Sequence, residues 1–309
     1  MPKPKPRPRV VVVGDLVVDV VLAPAAELAI GTDVLGRVML RQGGSATTTA
    51  RWLGRSGARV SLIAAVGRDA AGRALVRTIR ADGVTPHVAR IVGQPTGRVG
   101  VFVSPGGERS FVQDRGAALQ LAPEHLRDEW FAAVELVHIP TYSLLDHPLG
   151  DAGRRAAELA HATGAILTVD LSSAGPLLAI GRHAAIEVVR GTQPDLLFAA
   201  GTEARALADS DEGLLDIAPI VVLKRGPKGA TILFREATAA HRVEVAAKAV
   251  AAADTTGAGD AFDAGFILDW LAARRDGAST AAGLRRGAVG GHRMATRQLL
   301  RPREELAFG

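Results

Sequence analysis

The 309-residue chain is predicted to be an α/β protein with a mostly parallel sheet covered by helices on both faces. Short β-branched runs alternate with helical patterns from residue 10 onward, and a hydrophobic content of 48% is enough for a sizeable core. The segment 98–112 breaks the alternation: Val99, Val101 and Val103 repeat with period two before a Pro105-Gly106-Gly107 turn, and Ser110 to Val112 resume an extended pattern. That hairpin, with the extended residues Asp33 to Arg41, predicts a small sheet standing apart from the α/β body.

Residues 1–9 alternate Pro with Lys or Arg and read as an extended, solvated, disordered tail. The β-branched run Val10 to Leu22, interrupted by Gly14, Asp15 and Asp19, reads as one strand leaving a buried sheet. Helical patterns follow at Ala46 to Arg55, Asp69 to Asp82, Asp151 to Thr163 and Gly181 to Arg190. Apolar runs at Arg59 to Ala65, Val134 to Ile139, Ala165 to Val169, Leu196 to Ala199 and Ile220 to Leu223 are the expected strands between and after them. Two helices, Gly259 to Arg275 and Ser279 to Arg297, fill the last third, with Phe262, Phe266, Trp270 and Leu271 at helical spacing as core.

Composition narrows the chemistry. The absence of cysteine excludes disulfides, zinc ribbons and thiolate nucleophiles, and makes the cytoplasm the expected compartment. No uncharged apolar run is long enough to span a membrane, and no signal peptide is read. The net charge of +5 resides mostly in Lys3, Lys5, Arg7 and Arg9, so the body is close to neutral and no nucleic-acid partner is expected. None of the eight histidines forms a close pair, and no GxxxxGK[ST] phosphate loop occurs. Any metal is expected to be Mg²⁺, held by phosphates, carboxylates and water.

The most informative segment is Asp254-Thr255-Thr256-Gly257-Ala258-Gly259-Asp260, which opens the helix ending near Arg275. Backbone N–H groups at such a glycine-rich helix start cradle anions, phosphate above all. A carboxylate in the same first turn repels a resting phosphate. Asp260 therefore makes sense as the group that takes a proton from an attacking hydroxyl while the amides hold a transferring phosphoryl group. As a first-turn acid it would merely favour the helix start.

With these residues the sequence resembles the PfkB/ribokinase family of carbohydrate kinases. Asp254 to Asp260 is similar to the family's C-terminal signature DTxGAGD, and Arg41-Gln42-Gly43-Gly44-Ser45-Ala46 leading to Val66-Gly67-Arg68-Asp69 and Gly72 is similar to its N-terminal signature region. Gly14-Asp15 with Asp19 is a third match, and together the three extend over nearly the whole chain. The resemblance implies a doubly wound ribokinase-like body at 10–309, lid segments near 20–42 and 95–115, and ATP- and Mg²⁺-dependent phosphorylation of a hydroxyl on a sugar or sugar-like molecule. By position it makes Asp260 the general base and Gly257, Ala258 and Gly259 the anion hole. Asp19, Gly43, Gly44, Thr48 and Arg109 fall on the substrate side, with the glycine pair as hinge. Lys224, Gly226, Gly229 and Thr255, with Gly257 and Gly259, fall on the nucleotide side, and Glu203 bears indirectly on the metal. An activating monovalent cation and a homodimer through the lid edge are further expectations.

Four positions depart from the family pattern. Ala200 stands where an Asn often precedes the glutamate, Thr48 replaces an Asn that touches substrate, Ser45 replaces a Lys, and Val17 occupies a commonly polar site. The alternatives that stay open are a nucleoside kinase, for which Phe102 and Phe111 are the aromatic candidates for base stacking, and a non-catalytic sugar- or nucleotide-sensing regulator. Of the lid arginines 37, 41, 98, 109 and 115, most are expected to be solvated, with Arg109 the one to test against a substrate anion.

Overall fold

A computed structural model describes residues 7–106, 108–252, 254–302 and 304–308. The first six residues of the basic tail, and Gly107 of the hairpin turn, lie outside the described residues. Among the described residues thirteen strands run in chain order: β1 (Arg9–Val13), β2 (Val17–Pro24), β3 (Gly36–Gly43), β4 (Arg59–Gly67), β5 (Val84–Ile91), β6 (Thr96–Val103), β7 (Arg109–Gly116), β8 (Leu136–Pro140), β9 (Ile166–Asp170), β10 (Leu196–Ala200), β11 (Ile220–Lys224), β12 (Ala230–Glu236) and β13 (Ala239–Val245). The helices are α1 (Ser45–Arg55), α2 (Ala70–Ala81), α3 (Tyr142–Leu145), α4 (Leu149–Thr163), α5 (Ala174–Ala179), α6 (Arg182–Arg190), α7 (Gly201–Leu207), α8 (Ala258–Arg275) and α9 (Thr280–Leu300).

Nine strands form one sheet in the order β13-β12-β11-β10-β9-β8-β1-β4-β5, parallel except for the β12 and β13 edge. The chain winds outward from β1 in both directions, so the sheet is doubly wound with its switch between β1 and β8. Strand β1 shows why both faces are covered: Val10 and Val12 enter one hydrophobic core, Val11 and Val13 the other. Helices α1, α2, α8 and α9 cover the first core, and α4 to α7 cover the second. The expected core aromatics Phe262, Phe266 and Trp270 are all buried.

The small sheet has the order β3-β2-β6-β7 and its own cluster of Val21, Met39 and Val101. The run Val10 to Leu22, expected as one strand, is two strands in two different sheets. The break falls at Gly14 to Leu16, where the buried carboxylate of Asp15 accepts from Arg115 Nη2 at 2.8 Å and Nε at 3.0 Å. That pair fastens the exit of β1 to the end of β7 and turns the chain out of the large sheet. It also corrects the expectation of solvated arginines for Arg115, whereas Arg37 and Arg98 are exposed.

Strands β5, β12 and β13 and helix α7 lie outside the sequence expectations. Pro86 and polar residues obscure β5, which is a sheet edge, where proline is tolerated. The β12–β13 hairpin turns through Ala237 at φ 52° and lacks the Asn-Gly type of signal that marks such a turn.

Helices α8 and α9 pack through glycine. A Cβ on Gly265 would lie 2.4 Å from the Gly290 carbonyl oxygen, so the two backbones touch there without side chains between them. This close approach fixes the axis of α8 and hence where its first turn lies. Gly265→Val is expected to lower stability by about 1–3 kcal/mol through overpacking, read as a lower urea midpoint at unchanged m-value.

Candidate active site

The loop before α8 is shaped by a bond of its own and by contacts from three other elements. Gly257 caps the helix with φ 72°, a left-handed conformation that glycine adopts without strain. Asp254 Oδ1 accepts the Thr256 N–H at 2.9 Å, and Asp254 Oδ2 accepts from Arg41 Nη1 of β3 at 3.0 Å. Arg109, at the start of β7, donates to the hydroxyls of Thr255 and Thr256, each at 2.7 Å. From the other side, Gln298 of α9 donates Nε2–H to the Thr256 carbonyl at 2.7 Å, while its Oε1 accepts from Trp52 Nε1–H of α1 at 3.0 Å.

Asp260 is the third residue of α8, in its first turn. Its Oδ1 accepts the Ser45 hydroxyl at 2.5 Å, so the residue that departs from the family lysine contacts this carboxylate directly. Burial pushes the Asp260 carboxyl up to about 7; the Ser45 hydrogen bond opposes the rise and the charge of Asp170 adds to it. Asp19 of β2 is paired in register with Arg41 of β3. Burial raises its carboxyl to about 7 as well, against the pull of Arg41. Its side chain lies over Gly43, where a Cβ would come within 1.9 Å of Asp19 Oδ1, so glycine there makes room for the carboxylate. Gly44, at φ 100°, starts α1, and its carbonyl accepts from the Thr48 hydroxyl at 3.0 Å.

Two cavities meet at this loop. One, of about 100 Å³, is bounded at its inner end by Asp19, Thr48, Thr256 and Gly257 and by Val21 and Val101 of the small sheet. The other, of about 320 Å³ and largely apolar, is bounded by Thr255, Ala258 and Gly259 on one side and by Lys224, Gly226 and Gly229 on the other. Successive loop residues thus form the wall between the two spaces. Arg109 is not among the residues bounding either cavity; its contacts are with the loop threonines. Neither Phe102 nor Phe111 bounds the first cavity, in which Trp52 is the one aromatic side chain among the described residues. His292 bounds the second cavity, whereas His138 is fully buried, and burial pushes its imidazole down to about 4 and keeps it neutral.

Beside the second cavity is a buried ionic cluster that sequence reasoning missed. Lys224 Nζ, at the end of β11, lies 2.8 Å from Asp170 at the end of β9 and 3.2 Å from Asp263 of α8. Burial works against the ammonium, but Asp170 and Asp263 outweigh it and hold its pKa above the ordinary lysine value. A Cβ on Gly259 would lie 3.4 Å from Nζ, so the cation sits next to the first turn of α8. The available signal was the spacing of Asp260 and Asp263, which puts two carboxylates on adjacent helix turns. Glu203 Oε2 caps α7 by accepting the Ala200 N–H at 2.6 Å. Among the described residues, no group of three His, Asp or Glu side chains is placed to hold a metal ion unaided. No helix of the described residues is long and apolar enough to cross a membrane.

The comparisons with known proteins agree with this architecture. The family model of pfkB family carbohydrate kinases matches residues 7–298. The chain is 28% identical to the fructokinase of Salmonella typhimurium, with 85% of each chain covered. It is 30% identical to the 2-dehydro-3-deoxygluconokinase of Thermoproteus tenax, covering 70% of this chain and 69% of that one. Among solved structures, the adenosine kinase of Sinorhizobium meliloti superposes with a TM-score of 0.81 at 27% identity, covering 98% of both chains. Nearly the whole chain is matched, and it belongs to the pfkB family of carbohydrate kinases.

Proposed function

We propose that the chain is an ATP-dependent sugar kinase in which Asp260 activates an acceptor hydroxyl in the smaller cavity and the Gly257 to Gly259 amides stabilise the transferring phosphoryl group. The observation that carries this reading is the single loop walling off two cavities and leading straight into the first turn of α8, where Asp260, which bounds neither cavity, is held by the Ser45 hydroxyl. The nucleotide would lie in the larger cavity against Lys224, Gly226, Gly229 and Thr255, its terminal phosphate toward the start of α8. The acceptor would hydrogen-bond Asp19 and Thr48, with Gly43 and Gly44 as the hinge over which the small sheet closes as a lid. The fructokinases and the 2-dehydro-3-deoxygluconokinase among its relatives favour a sugar or sugar acid. Against the nucleoside reading suggested by the adenosine kinase likeness stands the scarcity of aromatic side chains in the acceptor cavity, where Trp52 alone among the described residues offers a ring to a base.

In the proposed step, Asp260 accepts the proton of the acceptor hydroxyl as its oxygen forms the new bond to phosphorus. The bond from phosphorus to the leaving oxygen of ADP breaks, and the amides and Lys224 meet the charge carried by the phosphoryl oxygens. Mg²⁺, when bound, would spread the phosphate charge, and the donor set suits an ion carried mainly by the phosphates. Asp170 and Asp263 are turned to Lys224, leaving Glu203 as the carboxylate to contact the ion through water. The retained acid in the first turn of α8 argues against a non-catalytic sensor. A homodimer through the small sheet is part of the proposal, since Val38 on one edge strand and Val112 on the other are exposed. Sedimentation equilibrium is expected to show a dimer that Val112→Asp weakens; a monomer in both would remove it.

Asp260→Asn is expected to lower kcat by about 10²–10⁴-fold while ATP binding persists, measured by ADP release and by calorimetry. In the wild type, kcat/KM should fall as pH drops below about 7, following protonation of Asp260. Stability should move the opposite way. A carboxyl raised in the folded state favours folding through its protonated form, a contribution complete below about pH 4 and lost as pH rises through about 7. Asp260→Asn should therefore be more stable than wild type at pH 8, by about 1–2 kcal/mol after discounting for partial solvent exposure, with the difference closing toward pH 4.

A further inference from the structure

The acceptor cavity does not end beside Asp19. It runs outward past Thr48 to Arg51 and Arg55 of α1 and to Arg301 and Glu304, which follow α9. Arg51 and Arg55 are one helical turn apart and share the carboxylate of Asp82. Three guanidiniums then converge on one further carboxylate. Glu304 lies 2.6 Å from Arg301, 3.3 Å from Arg55 and 3.8 Å from Arg51.

The members of this cluster differ in how firmly they are held. The side chains of Arg51 and Arg55 are 15% and 19% exposed and Asp82 is 10% exposed, while Glu304 is 60% exposed. Glu304 sits in a segment fastened by the Leu306 N–H to the Leu40 carbonyl of β3 at 2.7 Å and by the buried Leu306 side chain. Asp82 neutralises one of the three arginines, and removing Glu304 would leave two positive charges along the wall of a cavity. Planar guanidiniums arranged in this way match the oxygens of carboxylate and phosphate groups.

Resting on the reading of this cavity as the acceptor site, we propose that Arg51, Arg55 and Arg301 form an anion subsite, filled in the structure by the Glu304 carboxylate and taken over by a carboxylate or phosphate group of the acceptor. The hydroxyl to be phosphorylated lies at the Asp19 and Gly257 end and the anionic group at the arginine end. Glu304 is an internal stand-in that keeps the arginines compensated until the acceptor arrives. It competes with anionic acceptors and leaves neutral ones untouched.

The test is calorimetric binding of D-gluconate, D-fructose 6-phosphate and D-fructose to the full chain, with ATP-dependent turnover measured in parallel, for wild type, Arg301→Gln and Glu304→Gln. At least one anionic ligand is expected to bind about tenfold more tightly than D-fructose, a difference that Arg301→Gln removes and Glu304→Gln enlarges while D-fructose binding stays constant. Preference for D-gluconate assigns a carboxylate, and preference for D-fructose 6-phosphate a phosphate. Equal binding of all three ligands, or variants that shift all three together, would overturn the subsite and leave Glu304 as a tether for the chain end. Anion-selective binding without turnover would keep the subsite and remove the kinase reading; turnover confined to D-fructose would do the reverse.

Discussion

The ion pair between Arg41 and Asp254 is the contact on which the site depends, because it ties a strand of the small sheet to the loop that opens α8. Within the loop the Thr256 N–H is held by Asp254 Oδ1 and the Ala258 N–H by the Thr255 carbonyl. Side chains from outside add to these bonds: Arg41 and Arg109 from the small sheet, Gln298 from α9. The Gln298 bond to the Thr256 carbonyl has a further effect. In a trans peptide the carbonyl and the following N–H point in opposite directions, so holding the carbonyl toward α9 directs the Gly257 N–H away from it. The small sheet and the loop consequently act as one unit, and any motion of one sheet relative to the other must break or carry these contacts.

Charge is distributed in layers around that loop. Asp19 and Asp260 occupy surroundings that favour their protonated forms, so both titrate close to neutrality. Asp170 and Asp263 are more deeply buried, and Lys224 between them makes their burial tolerable. At the far end of the smaller cavity the sign reverses, with arginines balanced by Asp82 and Glu304.

The doubly wound sheet supplies the positions. Asp170, Ala200 and Lys224 end β9, β10 and β11, and all three strands run parallel, so their last residues collect along one edge of the sheet. The glycine contact between α8 and α9 sets the first turn of α8 over that edge. Substitutions that loosen the helix pair are felt at the site through the position of this turn rather than through any lost side-chain chemistry.

Alternation of apolar runs with helical patterns was sufficient to read the class of fold and most of its strands, because buried parallel strands are continuous β-branched segments. The helix start with its glycines and Asp260 was legible for a similar reason: everything it needs is contiguous from Asp254 to Asp260. What the sequence left undetermined are pairings between distant residues, such as Arg115 with Asp15, Ser45 with Asp260, Lys224 with Asp170, and Glu304 with three arginines. Each partner alone reads as a surface charge, a turn residue or a cap. Only the tertiary structure decides which of them meet, because contact between residues far apart in the chain depends on how sheets and helices cross and not on any local pattern.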